Sequence, residues 1–188
     1  MVIDNRLTLH DFRMTPLSDQ RTNLIFDVVV PSDLKFTTQE FKLPEGLETI
    51  GDGAFYNARN LGNVVIPQYV CKAEKHVFAG VTLDSLTLPE SLIWISRRAF
   101  YNITYSDGKD AVALNIPSDI VYIGSNSFAE SSDLTVTFSG RIPMIENDIN
   151  DIFENTKVQK IVYTGSRETF DENLEFFKEI SDEVVFAE

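Results

Sequence analysis

Leu86-Thr-Leu-Pro89-Glu-Ser-Leu92-Ile-Trp-Ile95-Ser-Arg-Arg-Ala99-Phe100 is one version of a sentence that the chain repeats, and its register decides the fold. Upstream stands Leu43-Pro44-Glu-Gly-Leu47-Glu-Thr-Ile50-Gly51-Asp-Gly-Ala54-Phe55, and downstream Ile116-Pro117-Ser-Asp-Ile120-Val-Tyr-Ile123-Gly124-Ser-Asn-Ser127-Phe128. A worn copy, Ile66-Pro67-Gln-Tyr-Val70-Cys-Lys-Ala73-Glu-Lys-His-Val77-Phe78, lies between the first two. Each Pro is followed three residues later by Leu47, Val70, Leu92 or Ile120, and three later again by Ile50, Ala73, Ile95 or Ile123. The Phe falls eleven after the Pro in all four copies, at 55, 78, 100 and 128. Several offsets held at once through four copies mark a stacked repeat array. Phe153, ten after Pro143, reads as a fifth, degenerate coil.

Within a coil, the segment before each Pro is a short strand whose alternate residues point inward: Phe41/Leu43, Val64/Ile66, Leu86/Leu88 and Leu114/Ile116. Proline ends the strand by removing a donor. The second apolar pair returns the chain to the core, and Gly51 and Gly124 are expected to permit a tight turn there. Ala54-Phe55 and its counterparts then begin a short helical turn, with Asn57 and Asn102 suited to the left-handed position that ends it. One coil cannot cover its own Phe. Coils stacked at roughly 4.8 Å per strand can.

The pattern Leu-Pro-x-x-Leu-x-x-Ile-Gly-x-x-Ala-Phe-x-Asn resembles the BspA-type leucine-rich repeat. So do Ile161 to Ser166, the acidic amphipathic stretch after it and Val184 to Glu188, which are similar to the family's closing segment. The resemblance spans roughly residues 41 to 188. It implies an α/β repeat solenoid, a short right-handed leucine-rich-repeat array of about four to five coils with a parallel sheet. It also implies adhesion or another binding role rather than catalysis.

Three regions are expected: an N-terminal β cap over 1–40, the solenoid over 41–165, and a capping helix and strand over 166–188. In the first, Arg6 to Phe12 alternates loosely and Leu24 to Val30 reads as a buried strand ending at Pro31. Terminal repeats must close an open core and are usually atypical. In the last, Thr169-Phe-Asp-Glu172 has the form of a capping box, opening a helix with Phe170, Leu174, Phe177 and Ile180 on one face. That stripe is read as a lid. Between the third and fourth coils the Pro spacing widens from 22 to 28, and Ile103 to Ala111 is expected to bulge as a loop.

A formal charge of −13 on 188 residues argues against nucleic acid as a direct ligand, because phosphate binding requires Lys and Arg to displace counterions. An anionic membrane surface is disfavoured for the same reason. No apolar run approaches the ~18 residues of a membrane span, and Met1 to Arg6 does not open a signal peptide. A cytoplasmic location is therefore expected. An extracellular or virion location would follow from a removed leader or from assembly into a particle. Cys71, the single cysteine, can form no intrachain disulfide.

Catalysis finds little footing. His10 and His76 are the only imidazoles, and no phosphate-cradling glycine loop, zinc spacing or hydrolase serine elbow is present. No cofactor is expected, and the protein is not read as an enzyme. Glu146, Asp148, Asp151 and Glu154 form a weak calcium candidate that lacks the spacing of a calcium loop.

Binding has better anchors. The residue just before the inward position of each second strand is Thr49, Lys72, Trp94 or Tyr122, so stacking in register makes Trp94 and Tyr122 surface neighbours. Aromatics with one wet edge are favoured anchors. Tyr101 and Tyr105 are placed on the same side, beside the inserted loop, as further candidates. The exposed row of the main sheet (Lys42, Val65, Thr87, Asn115, Thr135) is the other candidate surface. The expected function is a non-catalytic scaffold presenting a preformed face to a protein partner. The alternatives are an acidic decoy of a nucleic-acid-binding protein, as phage carry, and a structural component of a larger assembly.

Overall fold

Two or three short strands and one tight turn make up each repeat in the computed structural model, which describes residues 13–16, 22–25, 43, 45–59, 61–106 and 111–187. The first two strands, β1 (Arg13–Pro16) and β2 (Thr22–Ile25), pair antiparallel. The strand expected from Leu24 to Val30 overlaps β2 at Leu24 and Ile25; residues 26–30 and the rest of segment 1–40 lie outside the described residues, as do Phe41 and Lys42. The strands that follow pair in parallel.

The second repeat contributes β3 (Asn63–Val65), β4 (Lys72–Ala73) and β5 (Thr82–Leu83). The third contributes β6 (Ser85–Thr87), β7 (Trp94–Ile95) and β8 (Thr104–Tyr105). The pairs β3–β6, β4–β7 and β5–β8 form three separate ladders, each a step of one repeat. Next come β9 (Val112–Ile116), β10 (Tyr122–Ile123), β11 (Leu134–Phe138) and β12 (Met144–Ile145). The short helix α1 (Ile149–Ile152), β13 (Val158–Tyr163), α2 (Arg167–Glu172), α3 (Leu174–Ile180) and β14 (Val184–Phe186) complete the chain.

The main sheet runs β14-β13-β11-β9, and a second sheet runs β12-β10-β7-β4. On the main strands Val64, Ile66, Leu86, Leu88, Leu114, Ile116, Leu134, Val136 and Phe138 are buried, as strand alternation requires. The outward row differs in one position from expectation. Asn115 pairs with Thr137, while Thr135 pairs with Ala113, because β9 and β11 are each two residues longer than β3 and β6.

The phenylalanines form a column. Phe55 stacks on Phe78 at 4.9 Å, Phe78 on Phe100 at 5.9 Å and Phe100 on Phe128 at 5.3 Å, with rings within 6° of parallel. Phe153 continues it, 5.8 Å from Phe128 and tilted by 17°. The backbone repeats with the rings: the amides of Phe55, Phe78, Phe100 and Phe128 donate to the carbonyls of Val77, Ala99, Ser127 and Ile152, at 2.8 to 2.9 Å. Each turn thus hydrogen-bonds to the next turn as a strand does to its neighbour. Burying one such ring contributes about 1.5–3 kcal/mol.

Two residues per turn take left-handed backbone, one two before the Phe and one two after. The first set is Gly53, His76, Arg98 and Asn126; the second is Asn57, Gly80, Asn102, Glu130 and Asn155. Asn57 and Asn102 therefore adopt the expected conformation. Gly124 does not: its requirement is space, because an added Cβ would lie 2.6 Å from the Arg97 nitrogen and 2.9 Å from the Ser96 carbonyl carbon. Nor does the inserted loop begin where expected. Ile103 is buried and Thr104–Tyr105 is β8, paired with β5, so the repeat continues through these residues; residues 107–110 lie outside the described residues.

At the C-terminal end the N-cap is Ser166 rather than Thr169. The Ser166 hydroxyl accepts from the Thr169 amide at 3.1 Å, so Thr169 sits inside the first turn. Asn173 interrupts the helix, which resumes as α3. Phe170 and Phe177 are buried, and their rings lie 5.9 and 5.4 Å from Tyr163, with Phe177 also 5.7 Å from Phe138. The apolar stripe thus packs on the main sheet.

Candidate functional site: the aromatic ladder of the second sheet

Parallel pairing places Lys72 beside Trp94, Trp94 beside Tyr122 and Tyr122 beside Met144. Their neighbours one residue on, Ala73, Ile95 and Ile123, are buried and fix the sheet to the core. The outward residues form a ladder that crosses four repeats. Trp94 and Tyr122 stack with centroids 4.0 Å apart and planes within 19°. That separation is close to the strand spacing of ~4.8 Å, so the rings stand side by side as their strands do.

Two of the four ladder residues are exposed, and Lys72 and Tyr122 are half-buried. Trp94 retains 36% of its surface and Met144 62%. The residues preceding the ladder strands, Ile93 and Val121, are exposed too, and their amides bond to Cys71 and Ile93 of the previous repeats at 2.9 Å. Two adjacent columns therefore face solvent where an alternating strand would offer one. Lys72 borders the strip and pairs with Glu74 at 3.0 Å. Met144 and the Ile93/Val121 column were not singled out from sequence. The register alone locates them, since each occupies the ladder position or the one before it.

A carboxylate of the next repeat, Glu146, is held near the ladder by Ser125 and Arg97. Glu146 Oε2 accepts from the Ser125 amide at 2.9 Å and the Ser125 hydroxyl at 3.0 Å, and lies 3.8 Å from Arg97 Nε. Its carboxyl is held below the usual 4.5, first by the Ser125 backbone hydrogen bond and against partial burial, with the Ser125 hydroxyl, Arg97 and the Tyr122 hydroxyl adding to the effect. The Tyr122 phenol is held above 10 by partial burial, then by the charge of Glu146, with Arg97 opposing. Asn147 Nδ2 donates to the Ser125 hydroxyl at 2.7 Å.

Tyr101 and Tyr105 sit elsewhere. Tyr101 belongs to the turn after Phe100, with the Arg98 guanidinium 5.3 Å from its ring centroid. Tyr105 lies on the β5–β8 ladder, packed against the core, and burial pushes its phenol up to about 12. The structure brings Lys72, Trp94 and Tyr122 onto one ladder and leaves these two on other sides of the repeat.

The acidic cluster is dispersed among separate tasks. Asp148 caps α1 by accepting from the Asn150 amide at 2.8 Å, Glu154 accepts from Asn126 Nδ2 at 2.8 Å, and Glu146 belongs to the Ser125 network. Among the described residues no group of three or more His, Cys, Asp or Glu side chains is gathered to hold a metal. His76 occupies a left-handed turn position, edge-on to Tyr56 at 6.4 Å, and His10 lies outside the described residues. Among the described residues no helix is long and apolar enough to cross a membrane.

The model of the BspA type leucine rich repeat region matches residues 34–107 in six copies, a span of less than half the chain. No curated protein and no solved structure matches. The turns at Phe128 and Phe153 lie beyond the matched span and join the same column of rings. The match falls on the stretch 34–107, where the pattern from Leu43 onward carries the same resemblance.

Proposed function

We propose that the protein is a non-catalytic scaffold that binds a protein partner through the ladder Lys72, Trp94, Tyr122 and Met144, bordered by Ile93 and Val121. In this reading the repeats wind as a right-handed solenoid of about four to five turns, closed by segment 1–40 at one end and by segment 166–188 at the other. The observation that carries the reading is the Trp94–Tyr122 stack at 4.0 Å, in which Trp94 is exposed and Tyr122 half-buried. Large aromatic anchors on a rigid frame bind with little ordering cost, and Trp and Tyr dominate binding energy at protein interfaces. The family supports the same class of function, since leucine rich repeats serve as interaction scaffolds.

The main sheet offers a weaker surface. Its outward residues Asn115 and Thr137, with Val65 and Thr87 of the β3–β6 ladder, carry one exposed apolar side chain and no aromatic ring. Affinity capture from the native host with the wild-type chain and a Trp94→Ala/Tyr122→Ala chain tests the assignment. A partner retained by the first and lost by the second, with unchanged circular dichroism, is the expected result. Equal retention would move the binding surface away from the ladder.

A further inference from the structure

A chain of net charge −13 carries basic residues at matching places in two successive turns: Lys75-His76 in the second repeat and Arg97-Arg98 in the third. Asp52-Gly53 and Ser125-Asn126 hold the same places in the first and fourth. The register is set by the backbone. The Ser96 amide donates to the Ala73 carbonyl at 2.9 Å and the Phe78 amide to the Ala99 carbonyl at 2.8 Å, so Lys75 stands beside Arg97 and His76 beside Arg98. Neighbouring strands are ~4.8 Å apart, which gathers these groups into one edge. Lys75, Arg97 and Arg98 are exposed, and His76 is half-buried. The edge adjoins the ladder, because Lys75 follows Lys72, and Arg97 follows Trp94, by three residues, no more than ~10 Å of chain.

The nearby carboxylates leave most of this charge unpaired. Glu74 pairs with Lys72 at 3.0 Å, and Asp52 accepts from the Lys75 backbone amide at 3.2 Å. Glu146 is bonded to the Ser125 amide and hydroxyl and approaches Arg97 only to 3.8 Å. Among the described residues Lys75, His76 and Arg98 form no ion pair. Arg98 also holds left-handed backbone, with φ 55°, where Gly53 and Asn126 occupy the same place at 62° and 56°. Arginine has neither glycine's freedom nor asparagine's tolerance there, and strain kept for an exposed cation points to function.

We propose that Lys75, Arg97 and Arg98 receive an acidic segment of the protein partner whose apolar side chains lie on the Trp94–Tyr122 ladder. The apolar half rests on the reading of the ladder as a binding face; the preference of the edge for acid does not. Fields are screened within ~8 Å in physiological salt, so a short acidic segment responds to the local cations. The acidic remainder of the surface repels the same segment, which selects one orientation. A long polyanion such as nucleic acid would run onto that remainder, so the occupant is a short stretch of protein.

The probe is a fluorescein-labelled peptide of four Asp-Glu-Leu repeats, with a Lys-Arg-Leu peptide of the same length, phosphatidylserine vesicles and a single-stranded oligonucleotide as competitors for the assignment. Anisotropy measures binding to the full chain, and the emission of Trp94, the only tryptophan, reports contact with the ladder. Only the acidic peptide is expected to bind and to shift that emission, with affinity falling about tenfold between roughly 50 and 300 mM salt. Arg97→Ser/Arg98→Asn copies the Ser125-Asn126 pair of the next repeat and should weaken binding at least about tenfold, while Lys157→Ser, at a distant exposed lysine, keeps it. Lys75→Gln leaves both left-handed positions untouched and should weaken binding about threefold. Far-ultraviolet dichroism monitors the fold.

Equal binding of the acidic and basic peptides, or an affinity unchanged in both edge variants, overturns the proposal. So does binding of vesicles, the oligonucleotide or a second copy of the chain that the edge variants lose in place of peptide binding. Peptide binding lost in the edge variants but kept in Trp94→Ala/Tyr122→Ala would reject the ladder and leave the edge standing; the reverse would reject the edge alone.

Discussion

Phe128 and Phe153 stack 5.8 Å apart although their repeats are not in the same register. Phe128 follows its Pro by eleven residues and Phe153 by ten. The missing residue is absorbed by α1, which replaces the left-handed entry of the other turns with one helical turn capped by Asp148. Conservation of the ring's position through a change of backbone identifies the column, rather than the turn, as what the repeat preserves. Phe100 sits in the middle of the column and is fully buried. Phe100→Ala is expected to cost about 3–5 kcal/mol in urea unfolding, and Phe100→Leu distinctly less. Equal costs would mean that loss of the ring itself, and not of buried volume, sets the penalty.

Gly124 and Gly46 separate packing from backbone freedom. A methyl group at Gly124 meets the main chain of the preceding repeat at Arg97 and Ser96, which cannot swing aside as a side chain can. At Gly46 nothing lies within 4 Å. Gly124→Ala should destabilise by about 1–3 kcal/mol and Gly46→Ala by no more than about 0.5 kcal/mol. Chemical denaturation of the two variants measures the difference directly.

Glu130 holds a left-handed backbone that Asn57, Asn102 and Asn155 adopt at the same place in their repeats. A Cβ-bearing residue is strained there by about 1–2 kcal/mol, and asparagine less than most. Glu130→Asn should therefore stabilise the protein by up to about 1 kcal/mol, even though it removes an exposed hydrogen bond from Asn155 Nδ2. A lower melting temperature would show that this bond outweighs the strain.

Alkaline stability should carry the mark of Tyr105. Its phenol ionises near 10 when unfolded and is pushed up to about 12 by burial in the fold. Neutral Tyr105 favours the native state fully below pH 10, and that contribution is lost as pH rises from 10 through 12. Tyr105→Phe should flatten the fall in stability across this window, read from urea midpoints at pH 9, 10 and 11. An identical fall in both proteins would place the alkaline sensitivity in other groups.

The Phe column, the inward strand residues and the neighbouring of Trp94 and Tyr122 were legible because each depends on a single offset that the repeat holds constant. What escaped depends on relations across repeats that vary. Arg98 and His76 give no sign of left-handed backbone, and only alignment with Gly53 and Asn126 reveals the position. The glycine at 124 was read as a turn residue because sequence does not show the Arg97 backbone beneath it. Thr169 resembles a cap, but Ser166 begins the helix earlier because it directly follows the end of the last repeat strand and Gly165. The main-sheet row slipped by two residues where β9 and β11 lengthen, pairing Asn115 with Thr137. Glu146 was grouped with nearby acids in the chain, yet its partners are Ser125 and Arg97, one and two repeats away.

The ladder as binding surface is tested most directly by titrating the captured partner against three folded proteins: wild type, Trp94→Ala/Tyr122→Ala, and Val65→Glu on β3. Loss of two central aromatic anchors should weaken binding by at least about thirtyfold, the equivalent of roughly 2 kcal/mol, while the β3 variant keeps wild-type affinity. Unaltered affinity for the double variant, with loss of binding in Val65→Glu, would contradict the account.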